Sequence, residues 1–90
     1  MTRPLVSVVV PVYFNAESLP RLGERLRAIA AAADFDMEVV FVDDGSGDQS
    51  WDLIQEIARG WSAARGIRLT RNFGSQMAVV AGLREARGDA

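Results

Sequence analysis

The chain has 90 residues, 49% of them hydrophobic and 24% charged, with a formal net charge of −2. That is the composition of one small globular domain; it argues against disorder and gives no long-range pull toward nucleic acid or an anionic membrane. Cysteine and histidine are both absent, which removes disulfides, thiolate metal sites, thiol nucleophiles and the commonest general base, and leaves carboxylates, arginine, hydroxyls and backbone amides to carry any chemistry.

Leu5-Val6-Ser7-Val8-Val9-Val10 reads as a buried strand, stopped by Pro11-Val12-Tyr13 because proline cannot donate to a sheet ladder. The run is too short to span a membrane and has no small-residue cleavage site, so it is not a signal peptide, and the chain is expected to be soluble. Phe14 to Ser18 turns into a first helix capped by Asn15 or Ser18, with Pro20 tolerated in the first turn. Leu19, Leu22, Leu26, Ile29 and Ala33 recur every three or four residues and form its apolar face.

Asp34-Phe35-Asp36 ends that helix and leads into Val39-Val40-Phe41-Val42-Asp43-Asp44. An unbroken apolar run of this length, closed by Gly45-Ser46, reads as a strand buried on both faces, as in a parallel sheet. Asp48 or Ser50 then caps a second helix with the buried stripe Trp51, Ile54, Ile57, Ala58 and Trp61. Gly66-Ile67-Arg68-Leu69-Thr70 alternates and reads as a shorter strand nearer a sheet edge. Arg71 to Ser75 is a loop, and a third helix runs from about Gln76 to Ala86. Gly82 inside it costs about 1 kcal/mol relative to alanine, which suits a close backbone or ligand approach.

The order β-α-β-α-β-α with short connections predicts a three-stranded parallel sheet, one half of a doubly wound α/β domain. A fourth strand is expected directly after Gly88-Asp89-Ala90, so the sequence reads as part of a longer chain. Ligands of such sheets bind beyond the carboxyl ends of the strands. Three turns share that rim: Pro11-Val12-Tyr13, Asp43-Asp44 and Arg71-Asn72-Phe73-Gly74.

Asp43 and Asp44 serve as a helix cap and solvated loop, as metal ligands, or as acceptors for the ring N–H of uracil or guanine. An Asp-x-Asp-Gly phosphatase nucleophile fails because Val42 stands at the first acidic position. A phosphoacceptor receiver domain fails because Leu69-Thr70-Arg71 closes the third strand. Tyr13 packs at the sheet edge or stacks on a base. Arg71 meets a phosphate bidentately, or is a surface arginine beside Asn72 as a helix cap. The amides opening the third helix can hold an anion, and Phe73 reads as a core plug.

Three blocks in order, Val6 to Tyr13, Val40 to Ser46, and Arg71 to Gly74 followed by Ala81-Gly82-Leu83, resemble the amino-terminal half of inverting family 2 glycosyltransferases with a GT-A fold. The similarity is nearest to dolichol-phosphate mannose synthases and bactoprenol glucosyltransferases. It implies that residues 1–90 form the nucleotide-binding portion of a Rossmann-like GT-A nucleotide-diphospho-sugar transferase domain. It further implies that Pro11, Tyr13 and Asp44 line a nucleotide pocket, with Asp44 on the base, Asp43 supporting it and the loop around Arg71 close by. The family often reads Tyr-Asn-Glu where this chain has Tyr13-Phe14-Asn15, so the usual acidic contact falls on Asn15, with Glu17 as a stand-in.

The resemblance implies transfer of a hexose from a UDP- or GDP-sugar to a polyprenyl phosphate, by a longer enzyme on the cytoplasmic face of a membrane. Its divalent cation, Mg or Mn, is expected on an Asp-x-Asp just past Ala90, and its catalytic base further on. These 90 residues are therefore expected to bind no metal and to be inactive alone. The rival readings are a nucleotidyltransferase, disfavoured because Phe14 to Ser18 contains no glycine, and a non-catalytic module that forms homo-oligomers through an exposed sheet edge.

Overall fold

The computed structural model describes residues 3–90, excepting the side chain of Ser75. Its elements are β1 (Leu5–Val12), α1 (Leu19–Ala32), β2 (Asp36–Asp43), α2 (Ser50–Gly60), β3 (Ala64–Arg68) and α3 (Ser75–Glu85). The strands pair in parallel in the order β1-β2-β3. As the unbroken apolar run predicts, Val39, Val40, Phe41 and Val42 are each 0% exposed. Val39 and Phe41 pack with Val12, Leu19, Ile54 and Ala64 in the layer under α1 and α2. Val40 and Val42 pack with Ala78 of α3 on the opposite face. Each such side chain contributes about 1.5–3 kcal/mol by leaving water, so β2 joins both layers of the core.

Four boundaries differ from expectation. β1 continues through Pro11, which pairs with Val42, to Val12, which pairs with Asp43. Val12 O accepts the Asp44 N–H, so the even-numbered residues of β1 face β2 and the odd-numbered ones face away. Pro11 therefore lacks a donor only on the side where β2 needs none.

β3 starts and ends two residues earlier than the alternation suggested, which leaves Leu69 and Thr70 outside the strand, and small residues lie beneath α2. A Cβ on Gly66 would stand 2.5 Å from Ile54 Cγ2 and 3.1 Å from Trp51 Cζ3. α1 turns Leu19 and Gly23 inward, with Leu22 and Leu26 packed beside the core. Ile29 is left 54% exposed; Gly23, whose added Cβ would lie 3.1 Å from Ile57 Cδ1, is where α2 comes close. α3 begins and ends one residue earlier than expected. Its Gly82 lies against Val9 and Val42 without room for a side chain, the close approach that the buried glycine implied.

α3 carries the chain back across β2 to the outer edge of β1. There Ser7 N–H donates to Ala90 O (2.7 Å) and Ala90 N–H to Leu5 O (3.4 Å), the pattern of a parallel ladder with Ala90 beside Val6. The chain thus leaves β1 in one direction through β2 and β3 and returns on its other side. That reversal is a topological switch point, where open α/β sheets form their binding crevice.

A polar row holds the returning segment. Glu38 Oε2 accepts the Ser7 hydroxyl (2.6 Å) and the Arg87 N–H (2.5 Å), while Ser7 Oγ accepts the Gly88 N–H (2.8 Å). Arg65 lies 3.5 Å from Glu38 and 3.6 Å from Glu85. The Ser7 hydrogen bond, with help from the Arg87 N–H and the Arg65 and Arg87 charges and against the cost of burial, holds the Glu38 pKa below its ordinary value of 4.5. A carboxylate with a lowered folded pKa stabilises the fold above the unfolded pKa, and that contribution is lost as pH falls through the folded one. Glu38→Gln is expected to lower stability by about 1–3 kcal/mol at neutral pH. Urea midpoints should show the gap from the parent chain narrowing as pH falls below 4.5.

Candidate functional site

The three rim turns are bound to one another through Asp44 and Gly45. Asp44 N–H donates to Val12 O (2.8 Å), fixing the end of β2 to the end of β1. Asp44 Oδ1 accepts the Phe73 N–H (2.9 Å), fixing the third turn to the second. Gly45 has φ +75, and a Cβ there would stand 2.5 Å from Asn72 N and 2.6 Å from the Arg71 carbonyl carbon. The second and third turns therefore meet backbone to backbone.

The two adjacent carboxylates have separate environments. Asp43 is 0% exposed and turns to the α1 and α2 side of β2. Its Oδ1 accepts the Ser46 N–H (3.1 Å). Its Oδ2 has no hydrogen-bond partner among the described residues and lies 3.8 Å from Arg68 Nε, whose guanidinium sits 5.7 Å over the Trp51 ring. Asp44 instead lines a cavity of about 190 Å³ with Pro11, Val12, Tyr13 and Asn15. Complete small-molecule sites span roughly 300–1,000 Å³, so this one takes a single ring and leaves the rest of a ligand outside. With Oδ1 engaged, Asp44 Oδ2 makes no hydrogen bond among the described residues and can accept a donor from a ligand.

Tyr13 is about half exposed, with its ring edge-on to Phe14 at 4.6 Å. Its N–H donates to Asn15 Oδ1 (2.8 Å). The next three amides are taken by side chains of the β2–α2 turn: Phe14 N–H by Ser46 Oγ (2.9 Å), Asn15 N–H by Ser50 Oγ (3.0 Å) and Ala16 N–H by Asp48 Oδ2 (3.4 Å). The Ser50 hydroxyl, and then the Ser50 and Ala16 amides, hold the Asp48 carboxyl below its ordinary pKa. Asp48 and Ser50 read as caps of the second helix in the sequence, and Asn15 or Ser18 as that of the first, yet neither Ser18 nor Gln49, the residues at the two helix starts, makes a side-chain capping bond. Asp48 Oδ1 does accept the Ser50 N–H (3.0 Å).

Arg71 is exposed and stands outside the cavity, its guanidinium 4.8 Å over the Phe73 ring. Phe73 is 43% exposed, so it is not a core plug; its amide, rather than its ring, does the holding. Asn72 Oδ1 accepts the Gly74 N–H (2.9 Å) in a tight turn before α3. Beyond it a groove of about 290 Å³ runs between β3 and α3, lined by Ile67, Leu69, Phe73, Met77 and Val80 among others.

A divalent cation is not accommodated by this arrangement. Among the described residues no three His, Cys, Asp or Glu side chains gather closely enough to hold a metal ion. Asp43 and Asp44 do not chelate together, since Asp43 faces the interior beside Arg68. No helix among the described residues is long and apolar enough to cross a membrane.

A parallel α/β sheet whose chain returns to the outer edge of β1 is of the doubly wound class, in which ligands bind beyond the carboxyl ends of the strands. The model of the glycosyl transferase family 2 matches residues 7–90, and the chain belongs to that family. It is 45% identical over 86 residues to an undecaprenyl-phosphate 4-deoxy-4-formamido-L-arabinose transferase of Pseudomonas aeruginosa, a match covering 94% of this chain and 25% of that protein. The Aeromonas hydrophila transferase of the same name is 43% identical, with 94% and 26% covered.

Among solved structures, S. aureus TarS 1-349 superposes with a TM-score of 0.74 at 29% identity, covering 99% of this chain and 25% of that one. The mannosyltransferase PcManGT from Pyrobaculum calidifontis, in complex with GDP-Man and Mn2+, gives 0.72 at 26% identity, covering 99% and 26%. The fold is the parallel half of a GT-A domain that these share. The chain spans about a quarter of the length of the curated relatives it matches.

Gly45→Ala should be among the most damaging small substitutions. It forces a β-carbon against the Arg71–Asn72 backbone at a positive φ, with an expected loss of about 1–3 kcal/mol. A shift in the urea midpoint checks this.

Proposed function

We propose that this chain is the nucleotide-recognising portion of a glycosyltransferase that moves a sugar from a UDP- or GDP-linked donor to a polyprenyl phosphate. The observation that carries the reading is Asp44, which lines a ring-sized cavity beside Tyr13 and has one carboxylate oxygen engaged by Phe73 and the other without a partner among the described residues. A carboxylate accepts but does not donate, which suits the ring N–H of uracil or guanine. Tyr13, half exposed at the cavity wall, supplies an aromatic face to the base. Pro11 and Asn15 close the remaining sides, and Asp43 supports Asp44 from behind through the Ser46 amide. Arg71, on the rim, suits the diphosphate.

The names of the relatives favour an undecaprenyl-phosphate acceptor, and the GDP-Man and Mn2+ complex of the Pyrobaculum enzyme favours a nucleotide-sugar donor used with a cation. A hexose is the sugar expected from the sequence; the formamido-arabinose in the relatives' name favours a modified pentose as the second reading. The Mg or Mn ion and the catalytic base belong, in this reading, to residues outside these 90, and the isolated chain recognises without turning over. The complete enzyme works at the cytoplasmic face of a membrane.

Calorimetric titration with UDP and GDP tests the reading. One of the two is expected to bind, and Asp44→Ala to weaken it at least about tenfold, the scale of losing a hydrogen bond to a charged group. Binding that is indifferent to Asp44→Ala overturns the base assignment.

A further inference from the structure

Between Tyr13 and Asn15, two residues that line the Asp44 cavity, the backbone is unusual. Phe14 has φ +54, a left-handed conformation that a bulky aromatic residue rarely adopts. Such a conformation persists only where its surroundings over-determine it. Here the surroundings are specific: Ser46 and Ser50, at 6% and 0% exposure, direct their hydroxyls at the Phe14 and Asn15 amides. Ser46 is itself held by its N–H to Asp43 Oδ1. A buried hydroxyl has no water to exchange for its partner, so the pairing is selective. Phe14 in turn sets the Tyr13 ring, edge-on at 4.6 Å, and its own ring tip lies 3.3 Å from where a Cβ on Gly47 would stand.

We infer that Ser46 and Ser50 are positioning residues for ligand recognition: they template the strained Tyr13–Asn15 wall of the cavity without touching the ligand. The relay runs from Asp43 through the Ser46 amide and hydroxyl to Phe14, and so to Tyr13. The buried carboxylate that stays out of the cavity thus acts on it at a distance. The inference rests on the nucleotide reading above and adds residues to the same site.

A double-mutant cycle with a structural readout tests it. UDP and GDP are titrated into the parent chain, Ser46→Ala, Phe14→Asn and the double variant, and amide exchange at position 14 is followed by NMR. Asparagine is the comparison because it tolerates the left-handed region. Ser46→Ala is expected to weaken binding about tenfold and to speed exchange of the Phe14 amide. In the Phe14→Asn background the same change should weaken binding about threefold or less, since less strain then needs holding. An equal loss in both backgrounds, or unchanged Phe14 exchange in Ser46→Ala, overturns the inference while leaving the nucleotide reading intact. Failure of the parent chain to bind either nucleotide overturns that reading, and the positioning role with it. Should Ser46→Ala not fold, Ser50→Ala, read at the Asn15 amide, makes the same test.

Discussion

Everything at the rim of this sheet depends on how Asp44 divides its hydrogen bonds. Its amide reaches back to β1, one carboxylate oxygen reaches across to the Phe73 amide, and the other has no hydrogen-bond partner among the described residues. A carboxylate that is 2% exposed would be costly to bury without such partners. The same amide that compensates it also orders the third turn. Loop structure and the proposed recognition therefore share one group.

The position of that group follows from β2. Four successive side chains without exposure fix the strand between two layers, and a slip of one residue would reverse every one of them. Asp43 and Asp44 are then forced to opposite surroundings although they are neighbours in sequence. One faces Arg68 and the α1–α2 layer; the other lines the cavity beyond the end of β1, with Pro11, Val12, Tyr13 and Asn15. Glycines at positions 45 and 82 let the third turn meet the β2 turn and let α3 pack against Val9 and Val42.

Much of this was legible in the sequence, because period and burial leave a direct trace. The unbroken run Val39 to Val42 announced a doubly covered strand, and three acidic, aromatic and basic turns announced one rim. The errors came from contacts that sequence spacing does not encode. β3 runs from Ala64 to Arg68 rather than from Gly66 to Thr70, and Ile29 is outside because Gly23, not Ile29, meets α2. Asp48 and Ser50 carry ordinary capping signatures, and Asp48 does accept the Ser50 N–H, but with Ser46 they also serve amides 32 to 35 residues away. Only tertiary structure distinguishes the two uses. Phe14 is a related case: the asparagine that the resembling family often has there tolerates the left-handed backbone observed, and a phenylalanine does not without support.

The central claim is that Asp44 reads a ring N–H, and nucleotide chemistry offers a direct probe of it. Cytosine differs from uracil at the relevant edge, presenting an acceptor nitrogen where uracil presents a donor, while its size and the attached diphosphate stay the same. Parallel calorimetric titrations of UDP, GDP and CDP therefore vary the ring N–H, together with the neighbouring exocyclic group, while the diphosphate is kept. UDP or GDP binding at least about tenfold more tightly than CDP is the expected result. CDP binding as tightly as the better of the other two would contradict it.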